Sequence, residues 1–147
     1  MEDIAHKIEN TLNEIIIHSG NQNELLVGEC FCNHNYTNTQ KHILMILKNE
    51  NTNNKDLAKK LNISQAAVTK AIKLLLEENM LIAEKDNKDG RILRYKLSKE
   101  ALDVATEHEN HHQRTINSYK QILENYNTSE KEIISKFLAD LIKNIRG

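Results

Sequence analysis

The chain contains no proline and only four glycines in 147 residues, so almost nothing in it interrupts a helix and a strongly helical fold is expected. Aromatic residues are equally scarce, at two Phe and four Tyr. No apolar run approaches the roughly 18 residues that a membrane span needs, and the polar, amphipathic stretch Met1 to Asn10 is unlike a signal peptide. These absences predict a cytoplasmic protein with no membrane partner. The two cysteines, Cys30 and Cys32, stand one residue apart, too close to staple a fold. In a reducing compartment they read as metal or redox ligands, or as ordinary exposed thiols. A formal net charge of -1 excludes a protein that coats nucleic acid indiscriminately.

That small net charge conceals a pattern. Residues 1–54 carry 3 Lys/Arg against 7 Asp/Glu, residues 55–96 carry 10 against 6, and residues 97–147 carry 7 against 8. The positive excess sits in the middle segment alone, as expected of a specific DNA reader, although a solvated surface is the plain alternative. Within it, Leu57, Leu61, Ile63, Val68 and Ile72 provide the buried seam of two short helices, and Ala58 is small enough for a close crossing. Asn62 tolerates a left-handed turn between them and Ser64 suits a helix cap. This spacing resembles a helix-turn-helix, with Ser64, Gln65, Ala66, Thr69, Lys70 and Lys73 as DNA-binding candidates on the outer part of its second helix. An ordinary helical hairpin is the bland reading. Leu81 to Lys85 and Arg91 to Leu97 alternate apolar and polar around the turn signal Asp86-Asn87-Lys88-Asp89-Gly90, which predicts a β-hairpin directly after the helices. Lys88 and Arg91 are its DNA-binding candidates.

Flanking this module are helices with large apolar stripes. Ile4, Ile8, Leu12, Ile15 and Ile16 recur at helical spacing in the first, and residues 19–36 read as an irregular connection. A helix through His42 to Leu47 starts near Thr37 to Thr39. After the cap Ser98, a long helix carries Leu102, Val104, Ala105, His108, His112, Ile116, Tyr119, Ile122 and Leu123 on one stripe. A last helix starts near Thr128 or Ser129 and is expected to bury Ile133, Ile134, Phe137, Leu138, Leu141, Ile142 and Ile145. This is more apolar surface than a small core can cover, which implies a homodimer. The expected fold is therefore mainly α with a small β-hairpin, a winged helix-turn-helix with N- and C-terminal dimerisation helices. It divides into residues 1–36 (first helix and ligand-bearing loop), 37–97 (winged helix-turn-helix) and 98–147 (long helix and last helix).

His108 and His112 lie four residues apart, so their imidazoles share a helix face and can converge on one metal ion. Further potential ligands, Glu24, Cys30, Cys32, His34 and His42, lie far upstream. The spelling His108-Glu109-Asn110-His111-His112 also fits H-E-x-x-H, in which Glu109 would be the base of a small zinc peptidase. That reading needs a third ligand, for which Glu130 or Glu132 would serve, and an open coordination position. It leaves the DNA-reading module unexplained.

The helix-turn-helix followed by a hairpin resembles a winged helix, and Asp89-Gly90-Arg91 matches the Asp-x-Arg wing motif of the MarR family of dimeric bacterial repressors. Asn38 to Met45 and Ile63 to Lys73, with the His-rich long helix, are similar to the zinc-responsive members of that family over nearly the whole chain. The resemblance implies a homodimer that binds an operator in double-stranded DNA, takes Zn²⁺ as co-repressor and shuts off zinc-uptake genes, with no enzymatic role. It implies a main metal site at Glu24, His42, His108 and His112. Three imidazoles and a carboxylate are a mixed N/O set suited to tetrahedral Zn²⁺, although copper or nickel bind such donors as well. A second site in those relatives corresponds to Cys30, position 41 and Glu107, and here position 41 is Lys41, which has no lone pair to offer when protonated. The expectation is an ion pair of Lys41 with Glu107 in place of a second metal. A site rebuilt from Cys32, His34 or His111 is the rival, and a MarR-type regulator of small ligands or of thiol oxidation is the alternative function.

Overall fold

The computed structural model describes residues 1, 3–20, 24–31, 35–85 and 93–147. Among them the order is α1 (Ile4–Ser19), α2 (Asn38–Asn49), α3 (Asn54–Leu61), α4 (Gln65–Glu77), β1 (Leu81–Lys85), β2 (Leu93–Leu97), α5 (Lys99–Leu123) and α6 (Thr128–Arg146). None of the helices is long and apolar enough to cross a membrane.

Local chemistry sets the boundaries. Thr37 opens α2 with a capping box: its hydroxyl accepts from the Gln40 amide at 3.1 Å, while Gln40 Oε1 accepts from the Thr37 amide at 2.9 Å. Asn53, Ser64, Ser98 and Asn127 cap α3, α4, α5 and α6 by accepting from the amide three residues on. Asn62 ends α3 in the left-handed region, at φ 55 and ψ 45, where asparagine is better tolerated than most residues. The chain thereby reverses in three residues between α3 and α4, and the Ile63 amide donates back to Ala58 at 3.1 Å. That is the turn of the helix-turn-helix.

The core is aliphatic. Ile43, Leu44 and Leu47 of α2 meet Leu57 and Ala58 of α3, Val68, Ala71, Ile72 and Leu75 of α4, Met80, Leu81, and Ala101, Val104 and Ala105 of α5. α2 therefore sits between α3 and α4 on one side and the long helix α5 on the other. β1 and β2 pair antiparallel from Leu81↔Leu97 to Lys85↔Leu93, and Tyr95 Oη donates to Asn54 Oδ1 at 3.2 Å, tying the hairpin to α3. Residues 86–92 lie outside the described residues, so the expected strand start at Arg91 is not described and β2 is described from Leu93.

One expectation fails within a single chain. No residue of α1 or α6 is buried, and Ile133, Phe137, Leu138, Ile142 and Ile145 stand exposed while Ile134 and Leu141 are half-buried. On α5, Leu102, Ile116 and Ile122 are likewise exposed. The amphipathic pattern is real, but one protomer has no second layer to lay against it. A groove of 330 Å³ between α1 and α6, lined by Ile8, Leu12, Phe137 and Leu141 among others, stays open.

Candidate metal centre and nucleic-acid interface

Three elements deliver four side chains to one point. Glu24 comes from the segment after α1, His42 from the second turn of α2, and His108 and His112 from successive turns of α5. One donor atom from each lies within 4.8 Å of all the others. His42 Nδ1 stands 2.7 Å and His112 Nε2 2.9 Å from Glu24 Oε2, while His108 Nε2 stands 2.8 Å from Glu24 Oε1. The Nε2 atoms of His108 and His112 are 3.1 Å apart. The rings meet edge to face or tilted, with centroids 4.7 to 5.4 Å apart, so nitrogens rather than ring faces converge.

Protein hydrogen bonds do not satisfy this cluster. Buried Glu24 Oε1 accepts no aligned hydrogen bond despite its short contact with His108, and buried His108 Nδ1 has no partner. At 3.1 Å one imidazole nitrogen can donate to the other, but both also face a Glu24 oxygen, so the protons available cannot serve every contact at once. A cation bound by all four donors resolves that conflict, and a tetrahedral zinc site spaces its ligand atoms by about 3.3 Å, close to the observed contacts. The electrostatics agree. Burial raises the Glu24 carboxyl, but the facing imidazoles His108, His112 and His42 outweigh it and hold the group well below the carboxylate range. Burial pushes His108 below the imidazole range against the pull of Glu24, which favours the neutral, metal-binding form. Beside the cluster a cavity of 260 Å³, lined by Glu24, His42, Lys60, Leu61 and Asn62 among others, reaches the α3–α4 turn.

Glu109 does not join the quartet. Its carboxylate accepts from Lys48 Nζ at 2.7 Å and from the Asn49 amide group, which ties α5 to the end of α2. Glu130 and Glu132 lie on α6, exposed and outside the cluster. Glu24 stands beside the three imidazoles where the peptidase arrangement needs an open position, and Glu109, its candidate base, is paired with Lys48 and Asn49.

At the second ligand group, Glu107 is paired differently from the expectation. Its Oε1 accepts from Arg114 at 2.8 Å and from the Phe31 amide at 3.2 Å, and no Lys41–Glu107 pair forms. Lys41 instead donates to Cys30 Sγ at 3.8 Å from a site where it is only 4 % exposed. Burial lowers its ammonium from the ordinary lysine value, and Glu107 raises it only in part. Cys30 is disulfide-bonded and so presents no thiolate. His111 points at backbone, with Nε2 3.1 Å from the carbonyl oxygens of both Val27 and Gly28. Cys32 and His34 lie outside the described residues. Arg114 and Phe31 escaped the sequence reading; the i, i+7 spacing of Glu107 and Arg114, two turns apart on one helix face, was the available signal.

On the DNA-reading side, Gln65, Ala66, Thr69, Lys70 and Lys73 are all exposed along α4, while Val68 and Ile72 point into the core. Ser64 spends its hydroxyl on the helix cap, accepting from Ala67 at 3.1 Å. Thr69 donates its hydroxyl proton to the Gln65 carbonyl at 2.9 Å, which leaves the methyl group and oxygen lone pairs to face outward. Lys88 and Arg91 lie outside the described residues.

The MarR family profile matches residues 36–93, the span from just before α2 through β1 to the first residue of β2. A transcriptional regulator, AdcR of Streptococcus pyogenes serotype M6, is 43 % identical over 147 residues, all of both chains. The chain belongs to the MarR family. Among solved structures, the zinc-dependent MarR family regulator AdcR in its Zn(II)-bound state is 44 % identical, with a TM-score of 0.88 over 99 % of each chain. ZitR of Lactococcus lactis in complex with DNA is 36 % identical, with a TM-score of 0.93 over 99 % of each chain. This MarR-family chain thus has the winged helix-turn-helix fold expected from its sequence, and its full-length relatives are transcriptional regulators.

Proposed function

We propose that the protein is a zinc-dependent, homodimeric transcriptional repressor that acts in the cytoplasm on operators of zinc-uptake genes and carries no enzymatic activity. The observation that carries this reading is the convergence of Glu24, His42, His108 and His112 on one point with a buried oxygen and nitrogen left unsatisfied. Kinship with regulators solved in zinc-bound and DNA-bound forms supports it.

Zn²⁺ when bound would supply one divalent charge shared by four donors. The residues explain why that matters for DNA. His42 rides on α2, whose apolar side (Ile43, Leu44, Leu47) packs against α3 and α4. His108 and His112 ride on α5, which leads directly into the uncovered face of α6. Holding these side chains together joins residues 37–97, the DNA-reading part, to residues 98–147, the dimerising part, and fixes where each α4 sits relative to its mate. Residues 1–36 complete the joint through Glu24. Arrangements of the two recognition helices that miss successive major grooves become less populated, provided the metal binds the DNA-competent state better. On α4, Gln65, Ala66, Thr69, Lys70 and Lys73 then face the groove, and Lys88 and Arg91 are the further DNA contacts proposed from the sequence.

One metal per protomer is the proposed stoichiometry. Lys41 stands where a second metal would need a ligand, His111 is committed to backbone carbonyls, and Glu107 to Arg114. Mass spectrometry of the intact dimer tests this: two tightly held zinc ions per dimer, lost in His112→Ala, are expected. No tight zinc, or four ions per dimer, would contradict it.

A further inference from the structure

α5 carries two functional stripes side by side. His108 and His112 form one. Glu107, His111, Arg114 and Thr115, spaced i, i+4, i+7 and i+8, form the other, and all four grip the segment that follows Glu24. The Val27 amide donates to Thr115 Oγ1 at 2.9 Å, and that hydroxyl in turn donates a hydrogen bond to the His111 carbonyl at 3.0 Å. His111 Nε2 faces two carbonyl oxygens, those of Val27 and Gly28, at 3.1 Å each, so this nitrogen carries the proton and donates to both. Gly28 adopts φ +80, a left-handed conformation that favours glycine, at this bend. Farther along, the Arg114 guanidinium donates to Glu107 at 2.8 Å and to the Glu29 carbonyl at 3.3 Å. It also lies 4.5 Å from the centroid of the Phe31 ring. Glu107 closes the ring of contacts by accepting the Phe31 amide at 3.2 Å.

We infer that Arg114, with Glu107, Phe31 and His111, forms a metal-independent latch that positions Glu24 for the zinc site, so that the carboxylate is held in place before any metal arrives. The inference rests on the zinc reading above and goes beyond it, because none of these four residues belongs to the proposed site of Glu24, His42, His108 and His112. Glu24 lies only three residues before Val27, the first anchored amide, so little free chain separates the ligand from its clamp. Without the clamp the segment would be ordered only on metal binding, and that ordering would cost affinity. Phe31 supports a latch role in a second way. It is 77 % exposed, so it serves no core, yet its backbone and ring both contact the Glu107–Arg114 pair.

The test uses the full-length protein and two readouts. The first is zinc affinity by chelator competition, and the second is hydrogen exchange of the Val27 and Phe31 amides without metal. Arg114→Ala is expected to weaken zinc binding about tenfold, at the lower end of what loss of a supporting contact costs a metal site, with stoichiometry unchanged. It should also speed exchange at Phe31. Arg114→Lys restores the charge without the planar fork and should recover part of both effects. Should Arg114→Ala not fold, Phe31→Leu, at an exposed position, is expected to weaken zinc binding about threefold and to speed the same exchange. Both readouts must move together, and wild-type values in either one overturn the latch as a positioning device. A wild-type protein that takes up no zinc would defeat the zinc reading, whereas the exchange measurement, made without metal, still decides whether these contacts hold the segment.

Discussion

Phe137→Ala should dissociate the dimer without unfolding the protomer. Phe137 is 42 % exposed in the single chain and belongs to a helix with no buried residue, so its loss opens no cavity in the core. A phenylalanine side chain offers roughly 200 Å², so about 80 Å² is left for a second chain to cover. At about 25 cal/mol per Å² that coverage contributes about 2 kcal/mol in each protomer. A two-fold interface uses the same residue twice, which brings the total to about 4 kcal/mol, or roughly a thousandfold in the dissociation constant. Sedimentation equilibrium over a concentration series measures this, with circular dichroism to show that the helices persist. Lys136→Ala is the control, because Lys136 is an exposed neighbour paired with Asp140 along the same helix. An unchanged dimer in Phe137→Ala, or a wild-type protein that stays monomeric at high concentration, would refute the reasoning that the bare faces of α1 and α6 are the dimer surface.

Arg91→Ala should weaken operator binding and reduce the slope of log affinity against log salt by roughly one, as expected if Arg91 neutralises one phosphate; an unchanged slope would remove Arg91 from the interface. Gln65→Ala, on the exposed face of α4, should change which bases are preferred, whereas a uniform loss across sequences would speak against base readout there. In the metal-free protein, burial lowers the His108 proton affinity, so its imidazole should be mostly neutral at pH 6.5, the ordinary half-protonation point. The lone pair is then ready for metal at neutral pH and is lost only as pH falls further; an NMR titration showing His108 half-protonated at or above pH 6.5 would contradict this.

The DNA-reading module was legible from sequence because its signals are local. Asn62 at the turn, Ser64 at the cap and the buried spacing of Val68 and Ile72 are all decided within a few residues of one another, and the structure places each as expected. The pairing of His108 with His112 was legible for the same reason. Glu24 and His42 are another matter: they reach that pair across more than sixty residues of chain, and while residue type placed them among five upstream candidates, only family resemblance singled them out. Residue types at position 41 and Glu107 suggested an ion pair, but spacing along α5 brings Arg114 to Glu107 at shorter range, and buried Lys41 turns to Cys30 instead. His111 looked like a spare ligand because sequence cannot show that two carbonyl groups of a distant loop will meet its Nε2. The apolar stripes of α1 and α6 were read correctly as patterns, yet a pattern does not say whether the covering layer lies in the same chain.

Affinity for an operator duplex, selected from a random pool with zinc present and then measured by fluorescence anisotropy with saturating zinc and with a chelator, tests the central claim most directly. The account predicts binding tighter with zinc by about 5- to 150-fold, the range typical of coupling between two sites, and no difference between the two conditions for His112→Ala. Equal affinity of the wild-type protein with zinc and with chelator would contradict it.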